Sequence, residues 1–129
     1  MATSELILVG RLLLAAILGS TVGIEREKLH KPAGLRTYML VCLGSCLVTV
    51  ISVSFDMDPA RIAAGIITGI GFLGAGAIIA QGTNVKGLTT AASLWAIAAV
   101  GLSVGIGKYL LAIVTTVLIY IILRLKKYE

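Results

Sequence analysis

The chain has 129 residues, of which 58% are hydrophobic and 13% are charged, and its formal net charge is +5 at pH 7. About a quarter of the residues in an ordinary soluble domain are charged, so this composition excludes that class. The positive charges are divided among short loops between apolar stretches, which is typical of membrane topology. We therefore expect a lipid bilayer as the environment and no nucleic acid partner.

Five continuous apolar stretches predict membrane-spanning helices. A helix needs roughly 20 mostly apolar residues to cross a bilayer. Four stretches reach about that length, and Lys108 at the start of the fifth is expected to snorkel and lend it part of a turn. We expect an all-α, polytopic bundle that forms a single domain over residues 1–129. The spans are predicted at about 6–24, 37–55, 62–80, 88–106 and 108–123.

The loop charges predict the orientation of these spans. The residues before the first stretch, MATSE, are acidic where a cleavable signal peptide is basic, so this stretch is expected to remain as a spanning helix. Eight basic residues, among them Arg26, Arg36 and Lys86, fall on one side of a five-span arrangement, whereas Arg61 and Lys108 fall on the other. The positive-inside rule then places the N-terminus outside and the C-terminus in the cytoplasm.

The first span carries a stripe of small residues on one face, and charged residues follow at its end. Gly19 and Gly23 lie four residues apart, a spacing that lets membrane helices approach closely. Continuing the helix brings Arg26 and Glu27 onto the same stripe. Charges just inside such a face are costly unless they are paired.

A break at Pro32 and Gly34 separates this charge from the second span, which opens with Arg36 and Thr37. Pro32 sets a turn and Gly34 permits a positive φ, so Arg36 is expected to fold back onto Glu25 or Glu27. Two interpretations of this cytoplasmic layer stay open and are compatible: a structural ion-pair network, and a binding site.

The second span contains both cysteines of the chain. Cys42 and Cys46 are four residues apart, which is neither a C-x-x-C redox pair nor a zinc motif with histidine partners. We interpret them as small apolar packing residues.

The turn after the second span carries Asp56, Asp58 and Arg61. Two carboxylates two residues apart are a candidate for a Mg²⁺ site that binds through water. The favoured alternative is that Asp58 caps the third span, with Pro59 at its first helical position. Arg11, inside the first span, is expected either to pair with one of the aspartates or to snorkel outward.

The third span is the most glycine-rich part of the chain. Its small residues share one broad face of the helical wheel, and isoleucine and leucine line the opposite side. Because small faces permit close helix packing, we predict that this is the central helix and that its small face meets the first and fourth spans. The fifth span contains no glycine and is predicted to be peripheral. The packing glycines of the third span are Gly65, Gly69, Gly71, Gly74 and Gly76.

The second cytoplasmic loop, QGTNVKGLTT, combines glycines with polar side chains at a helix start. Asn84, Lys86 and Thr89 supply an amide, a cation and a hydroxyl. A glycine-rich turn before a helix can receive an anion, but the spacing is not that of a P-loop. The favoured alternative is a re-entrant turn capped by Thr89 or Thr90.

Three motifs in this order, GIEREKLHKPAGLRT, GIITGIGFLGAGAII and NVKGLTTAASLW, resemble the MgtC/SapB family of bacterial inner-membrane proteins. The resemblance covers roughly residues 12–123. It implies a multi-pass protein of the bacterial plasma membrane, linked to magnesium limitation, acid or phosphate stress and, in pathogens, survival in host cells. Some relatives are described as acting on the F-type ATP synthase or other membrane proteins. Many carry a further cytoplasmic domain similar to an ACT fold; this sequence ends six residues after the fifth span, so we expect it to correspond to the transmembrane domain alone.

The sequence contains no Ser/His/Asp, Cys/His or HExxH arrangement, so we expect neither an enzyme nor a bound cofactor. The leading hypothesis is a non-enzymatic regulator that binds other membrane proteins. The alternative is a small oligomeric transporter or channel for Mg²⁺ or another ion, although transporters normally show broken helices or polar sites at the midplane. The candidate functional residues are Glu25, Arg26, Arg36, Thr37, Asn84, Lys86 and Thr89.

Overall fold

A computed structural model describes residues 4–56, 58–79 and 87–125. Its helices are α1 (Glu5–Lys28), α2 (Leu35–Ser54), α3 (Pro59–Ile79), α4 (Leu88–Gly105) and α5 (Tyr109–Leu123). The first four are long and apolar enough to cross a membrane, and α5 is a shorter apolar helix of 15 residues. The prediction of an all-α membrane bundle is confirmed. Lys108 stands at the N-cap of α5 and does not lengthen it.

Contacts between helix ends show that α4 runs opposite to α1 and that α5 runs in the same direction as α1. Arg26 near the end of α1 bonds to Thr90 near the start of α4, and Glu25 bonds to Arg124 after the end of α5. We call this end of the bundle, formed by the close of α1 and α5 and the start of α2 and α4, the charged end. The positive-inside rule assigns it to the cytoplasm.

The central helix of the bundle is α4, and the prediction that the third span would be central is wrong. Helix α4 contacts all four other helices, whereas α3 contacts only α4 and α2 in the part of the chain that the structure describes. Half of the most apolar stretch of α4 is buried inside the bundle, against 17% for α3. The reason lies in Gly101 and Gly105 of α4, which let α2 approach closely: a Cβ on Gly105 would stand 2.7 Å from the Cβ of Thr49.

The close-packing role of Gly19 and Gly23 is confirmed, but their partner is α2 rather than α3. A Cβ on Gly19 would lie 2.6 Å from the carbonyl oxygen of Tyr38, and one on Gly23 would lie 2.8 Å from the Cα of Leu35. Real side chains do not approach this closely, so any larger residue at these positions would force α1 and α2 apart. No contact between α1 and α3 is formed among the described residues.

Helix α3 is rotated relative to the predicted orientation. Ile62 and Ile70, from the bulky stripe, are buried against the bundle, and of the packing glycines only Gly74 meets a neighbour, the Cβ of Ala91 at 3.4 Å. In lipid no hydrophobic force draws helices together, so the larger van der Waals contact of the isoleucines decides which face turns inward. The remaining predicted packing positions have open space beside them: Gly65, Gly69, Gly71 and Gly76.

Two smaller predictions are confirmed by side-chain contacts. Asp58 caps α3, because its Oδ1 accepts the backbone N–H of Ala60 at 2.9 Å and Pro59 is the first helical residue. Cys42 and Cys46 are fully buried free thiols, as expected of packing residues.

Arg11 joins α1 to the turn between α4 and α5 at the end opposite the charged one. Its Nε donates to the Tyr109 hydroxyl at 2.7 Å and its Nη1 donates to the carbonyl oxygen of Gly105 at 3.0 Å. The predicted pairing with Asp56 or Asp58 is not formed among the residues described. A carbonyl at a helix C-terminus carries partial negative charge, so it serves the guanidinium in place of a carboxylate.

Candidate functional site

The charged end is organised around a buried arginine. Arg26 lies in the last turn of α1, with only 3% of its surface exposed. Its Nη2 donates to the Oγ1 of Thr90 at 2.9 Å, and its Nε has no hydrogen-bond partner in the described part of the chain. Thr90 is 1% exposed in the first turn of α4. The two residues link α1 to the central helix at the end of the bundle where α1 ends and α4 begins.

A second pair of polar side chains extends this link to α2. The hydroxyl of Tyr38 bonds to that of Ser93, and Ser93 donates to the carbonyl oxygen of Thr90 at 2.8 Å. Neither Tyr38 nor Ser93 is among the functional residues predicted from the sequence. A signal was present, because Thr90 and Ser93 are three residues apart and so share a helix face, and Tyr38 lies just after the polar start of the second span.

The ion pair at this end differs from the predicted one. Glu25 pairs with Arg124 at 3.3 Å and also accepts from the Tyr120 hydroxyl at 3.4 Å, so α1 is tied to α5 rather than to α2. The hydrogen bond with Tyr120 and the charge of Glu25 raise the pKa of Arg124 above its ordinary value. Arg124 is more than half exposed, so this pair contributes little to stability.

Arg36 does not fold back onto either glutamate in the described structure. It is exposed in the first turn of α2, and Oε1 of Glu27 accepts the backbone N–H of Leu35 at 3.3 Å. Glu27, near the end of α1, therefore caps the start of α2. The two helices are joined by this cap, and the predicted salt bridge with Arg36 is not formed between described residues.

The other candidate residues are dispersed. Thr89 is exposed in the first turn of α4, but the N-cap is Gly87 at φ 82°, so the prediction of a Thr89 or Thr90 cap is wrong. Asn84 and Lys86 lie outside the described residues.

The described residues contain no group of three or more His, Cys, Asp or Glu side chains that could hold a metal ion. Asp58, one of the two aspartates considered for Mg²⁺, caps α3.

A groove between α2 and α3 is the second feature of the molecule, and we call it the lateral groove. It has a volume of about 680 Å³ and runs from Thr37 at the charged end to Arg61 at the opposite end, with Ala98 of α4 among its lining residues. Its lining is mostly apolar and includes Gly44, Gly65 and Gly69. The space beside each of these glycines is open.

Comparison with known proteins identifies the family. The family model described as "MgtC family" matches residues 12–128. The chain belongs to the MgtC family. It is 43% identical to "Putative magnesium transporter YhiD" of Escherichia coli K12, over 95% of this chain and 60% of that protein. It is 51% identical to "Protein MgtC" of Brucella abortus strain 2308, over 81% of this chain and 45% of that protein.

A third relative comes from Synechocystis. The chain is 46% identical to "Uncharacterized protein slr0014" of Synechocystis, over 86% of this chain and 48% of the relative. The chain thus spans about half of the length of the curated relatives it matches. No solved structure matches it.

Proposed function

We propose that this MgtC family protein is a non-enzymatic regulator in the bacterial inner membrane, and that its lateral groove holds a transmembrane helix of the protein it regulates. The observation that carries the proposal is the groove itself, which extends along two spanning helices and opens at the side of the bundle. The magnesium-related name of a relative supports a role in adaptation to magnesium limitation. A role in acid stress is what the resemblance to the MgtC/SapB family implies.

The chemistry of the groove wall favours a helix as its occupant. Gly44, Gly65 and Gly69 leave backbone accessible on both walls, and exposed small residues are the surface on which membrane helices pack most closely. Hydrogen-bonded helix backbone is also the form in which a second chain can enter the bilayer. The lining residues extend over residues 37–52 of α2 and 61–73 of α3, so a partner helix would contact most of α2 and about the first two-thirds of α3.

The charge at one end of the groove constrains the partner. Arg61 lines the end opposite the charged end and is exposed. A partner helix with an Asp or Glu at that level would pair with the guanidinium. The resemblance noted in the sequence implies the F-type ATP synthase as one partner to test. A second copy of the chain is the competing occupant, which would make the protein a homo-oligomer.

The test is growth of a deletion strain in low-magnesium medium, complemented with variants of the full chain. Gly69→Leu places a large side chain in the groove without meeting any neighbour within 4 Å of its Cβ. We expect it to lose complementation at normal membrane abundance. Gly71→Leu is the matched control, since it lies two residues along the same helix, has equally open space and does not line the groove.

The two variants separate docking from a general effect of bulk on α3. Loss of growth with Gly69→Leu and retention with Gly71→Leu support the proposal. Full growth with both variants at normal abundance contradicts it. Equal loss with both shows that lipid exposure of α3, rather than the groove, is what matters.

Ion transport is the second candidate function, because the relative at 43% identity bears the name of a magnesium transporter. The groove offers hydroxyls from Thr37, Ser45 and Ser52, but Ser45 already donates to the carbonyl of Ala98. Mg²⁺ is bound through carboxylates and waters in near-octahedral geometry, which this lining does not supply. Purified protein in proteoliposomes decides the question: saturable, protein-dependent Mg²⁺ flux would replace the regulator proposal.

A further inference from the structure

We propose that the buried guanidinium of Arg26 and the start of α4 form a binding site for a phosphate group, carried either by free phosphate or by an anionic lipid headgroup. This site lies at the charged end and stands independently of the lateral groove. It rests on a buried cation with a donor that has no acceptor among the described residues, and on the helix N-terminus beside it, whose N-cap, Gly87, makes no side-chain hydrogen bond.

The first observation is the electrostatic position of Arg26. With 3% exposure its charge is almost fully removed from water, and a buried ion is strongly unfavourable unless it is paired. Its one described side-chain partner is the neutral hydroxyl of Thr90. A guanidinium has five N–H donors, and the Nε–H of Arg26 is buried without an acceptor among the described residues.

The two acidic residues next to Arg26 in the last turns of α1 have other partners. Glu25 pairs with Arg124, and Glu27 accepts the backbone N–H of Leu35. Residues 80–86, which precede α4, contain no Asp or Glu in their sequence. Within the described chain, the ion-pair distances leave Arg26 without a carboxylate.

The second observation is the N-terminus of α4, which adds positive potential at the same place. Thr90 is the third residue of α4, so the Nη2 that bonds to it stands at the first turn of the helix. The N-cap, Gly87, has no side chain to accept the free N–H groups of that turn. The helix macrodipole places about half a positive charge there, which favours an anion and disfavours a lone cation.

Together these groups match the chemistry of a phosphate. One edge of a guanidinium, formed by Nε and an Nη, donates to two oxygens of a tetrahedral oxyanion. Free backbone N–H groups of a first turn donate to a third. Leu88 and Thr89 are exposed, so the first turn of α4 is reachable from the surface. The anion would satisfy the Nε–H and balance the charge of Arg26 in one step.

The experiment uses the full chain in nanodiscs, with two arms that distinguish the source of the phosphate. In the first arm the nanodiscs contain only zwitterionic phosphatidylcholine, and inorganic phosphate is titrated against chloride at constant ionic strength while thermal unfolding is followed. In the second arm phosphate is omitted and phosphatidylglycerol is introduced. A rise in unfolding temperature in the first arm identifies free phosphate, and a rise in the second arm alone identifies the lipid headgroup.

The variants test whether the effect belongs to Arg26. Arg26→Lys keeps the charge but loses the planar fork, and we expect it to weaken the apparent affinity about tenfold or more. Lys31→Gln removes one exposed charge at the same end and is expected to change the affinity less than about twofold. Thr90→Val, which removes the hydroxyl at similar volume, serves as a second variant if Arg26→Lys does not fold.

The outcomes are distinct. Stabilisation of the wild type in either arm, with loss of affinity in Arg26→Lys or Thr90→Val and retention in Lys31→Gln, supports the site. No stabilisation of the wild type in both arms overturns it without reference to any variant. Equal affinity of wild type and both site variants also overturns it, because the anion would then be bound by the surface lysines. The growth of strains that carry groove variants does not enter this experiment. Failure of the phosphate site and failure of the proposed function can therefore be distinguished.

Discussion

Replacing Gly105 by alanine tests the packing of α2 on the central helix. The new Cβ would stand 2.7 Å from the Cβ of Thr49 and 2.8 Å from its Cγ2, whereas carbon atoms in ordinary contact are about 3.5–4.0 Å apart. The position of a Cβ atom is fixed by the backbone, so rotation of the Thr49 side chain cannot relieve the contact and the helices must separate by roughly 1 Å. Thr49 is 1% exposed, so this separation would open a buried contact between α2 and α4.

Overpacking of this kind costs about 1–3 kcal/mol. The matched control is Gly71→Ala on α3, where a Cβ meets nothing within 4 Å. It is expected to be neutral or to stabilise by up to about 1 kcal/mol through helix propensity. Thermal unfolding of both proteins in detergent measures the difference. Similar unfolding temperatures for the two variants would refute the assignment of α4 as the central helix.

Three further predictions concern other parts of the bundle. Tyr38→Phe removes a hydroxyl from a fully buried ring and should lower the free energy of unfolding, measured in detergent, by about 1 kcal/mol. An unchanged free energy of unfolding would argue against the buried hydrogen bond between Tyr38 and Ser93. Arg124→Ala should leave the unfolding temperature almost unchanged, because its ion pair with Glu25 is exposed to solvent, and a large drop would contradict this view. Cysteines placed at Asp58 and Lys31, without the native cysteines, should be labelled from opposite sides of the membrane, and labelling of both from outside would reverse the topology.

The sequence predicted the number and approximate position of the helices because the apolar stretches are long and are interrupted by charge. It also predicted the cap of α3 at Asp58, since the Asp-Pro pair has a local mechanism that needs no tertiary information. The close packing at Gly19 and Gly23 was predicted for the same kind of reason, because spacing along one helix defines a face. Their partner helix could not be predicted, since any neighbouring span can use such a face.

The position of α3 shows why glycine content alone was misleading. A helix can use small residues to approach a neighbour or leave them open, and composition does not distinguish the two. In α4 the pair Gly101 and Gly105 is less conspicuous than the glycines of α3, yet it determines the closest helix contact with α2. Spacing of four does not separate the two cases either, because Gly65 and Gly69 of α3 have the same spacing as Gly101 and Gly105 and face open space.

The charged end was predicted as a region but not in its pairings. Arg26 was identified from its place on the stripe of the first span, whereas its partner Thr90 is 64 residues away along the chain. Glu25 pairs with Arg124 across α5, a contact that depends on how the short fifth helix packs. Long-range pairs of this kind are set by helix packing, which a single sequence does not specify.

Site-specific photo-crosslinking in living membranes tests the central claim most directly, with a photoreactive phenylalanine analogue in place of Gly69 inside the lateral groove. The account predicts a covalent adduct with a transmembrane helix of another membrane protein, identified by mass spectrometry, that is absent when the same analogue replaces Gly71. An adduct formed only with lipid, only with a second copy of this chain, or equally from both positions would contradict the claim that the groove holds a partner helix.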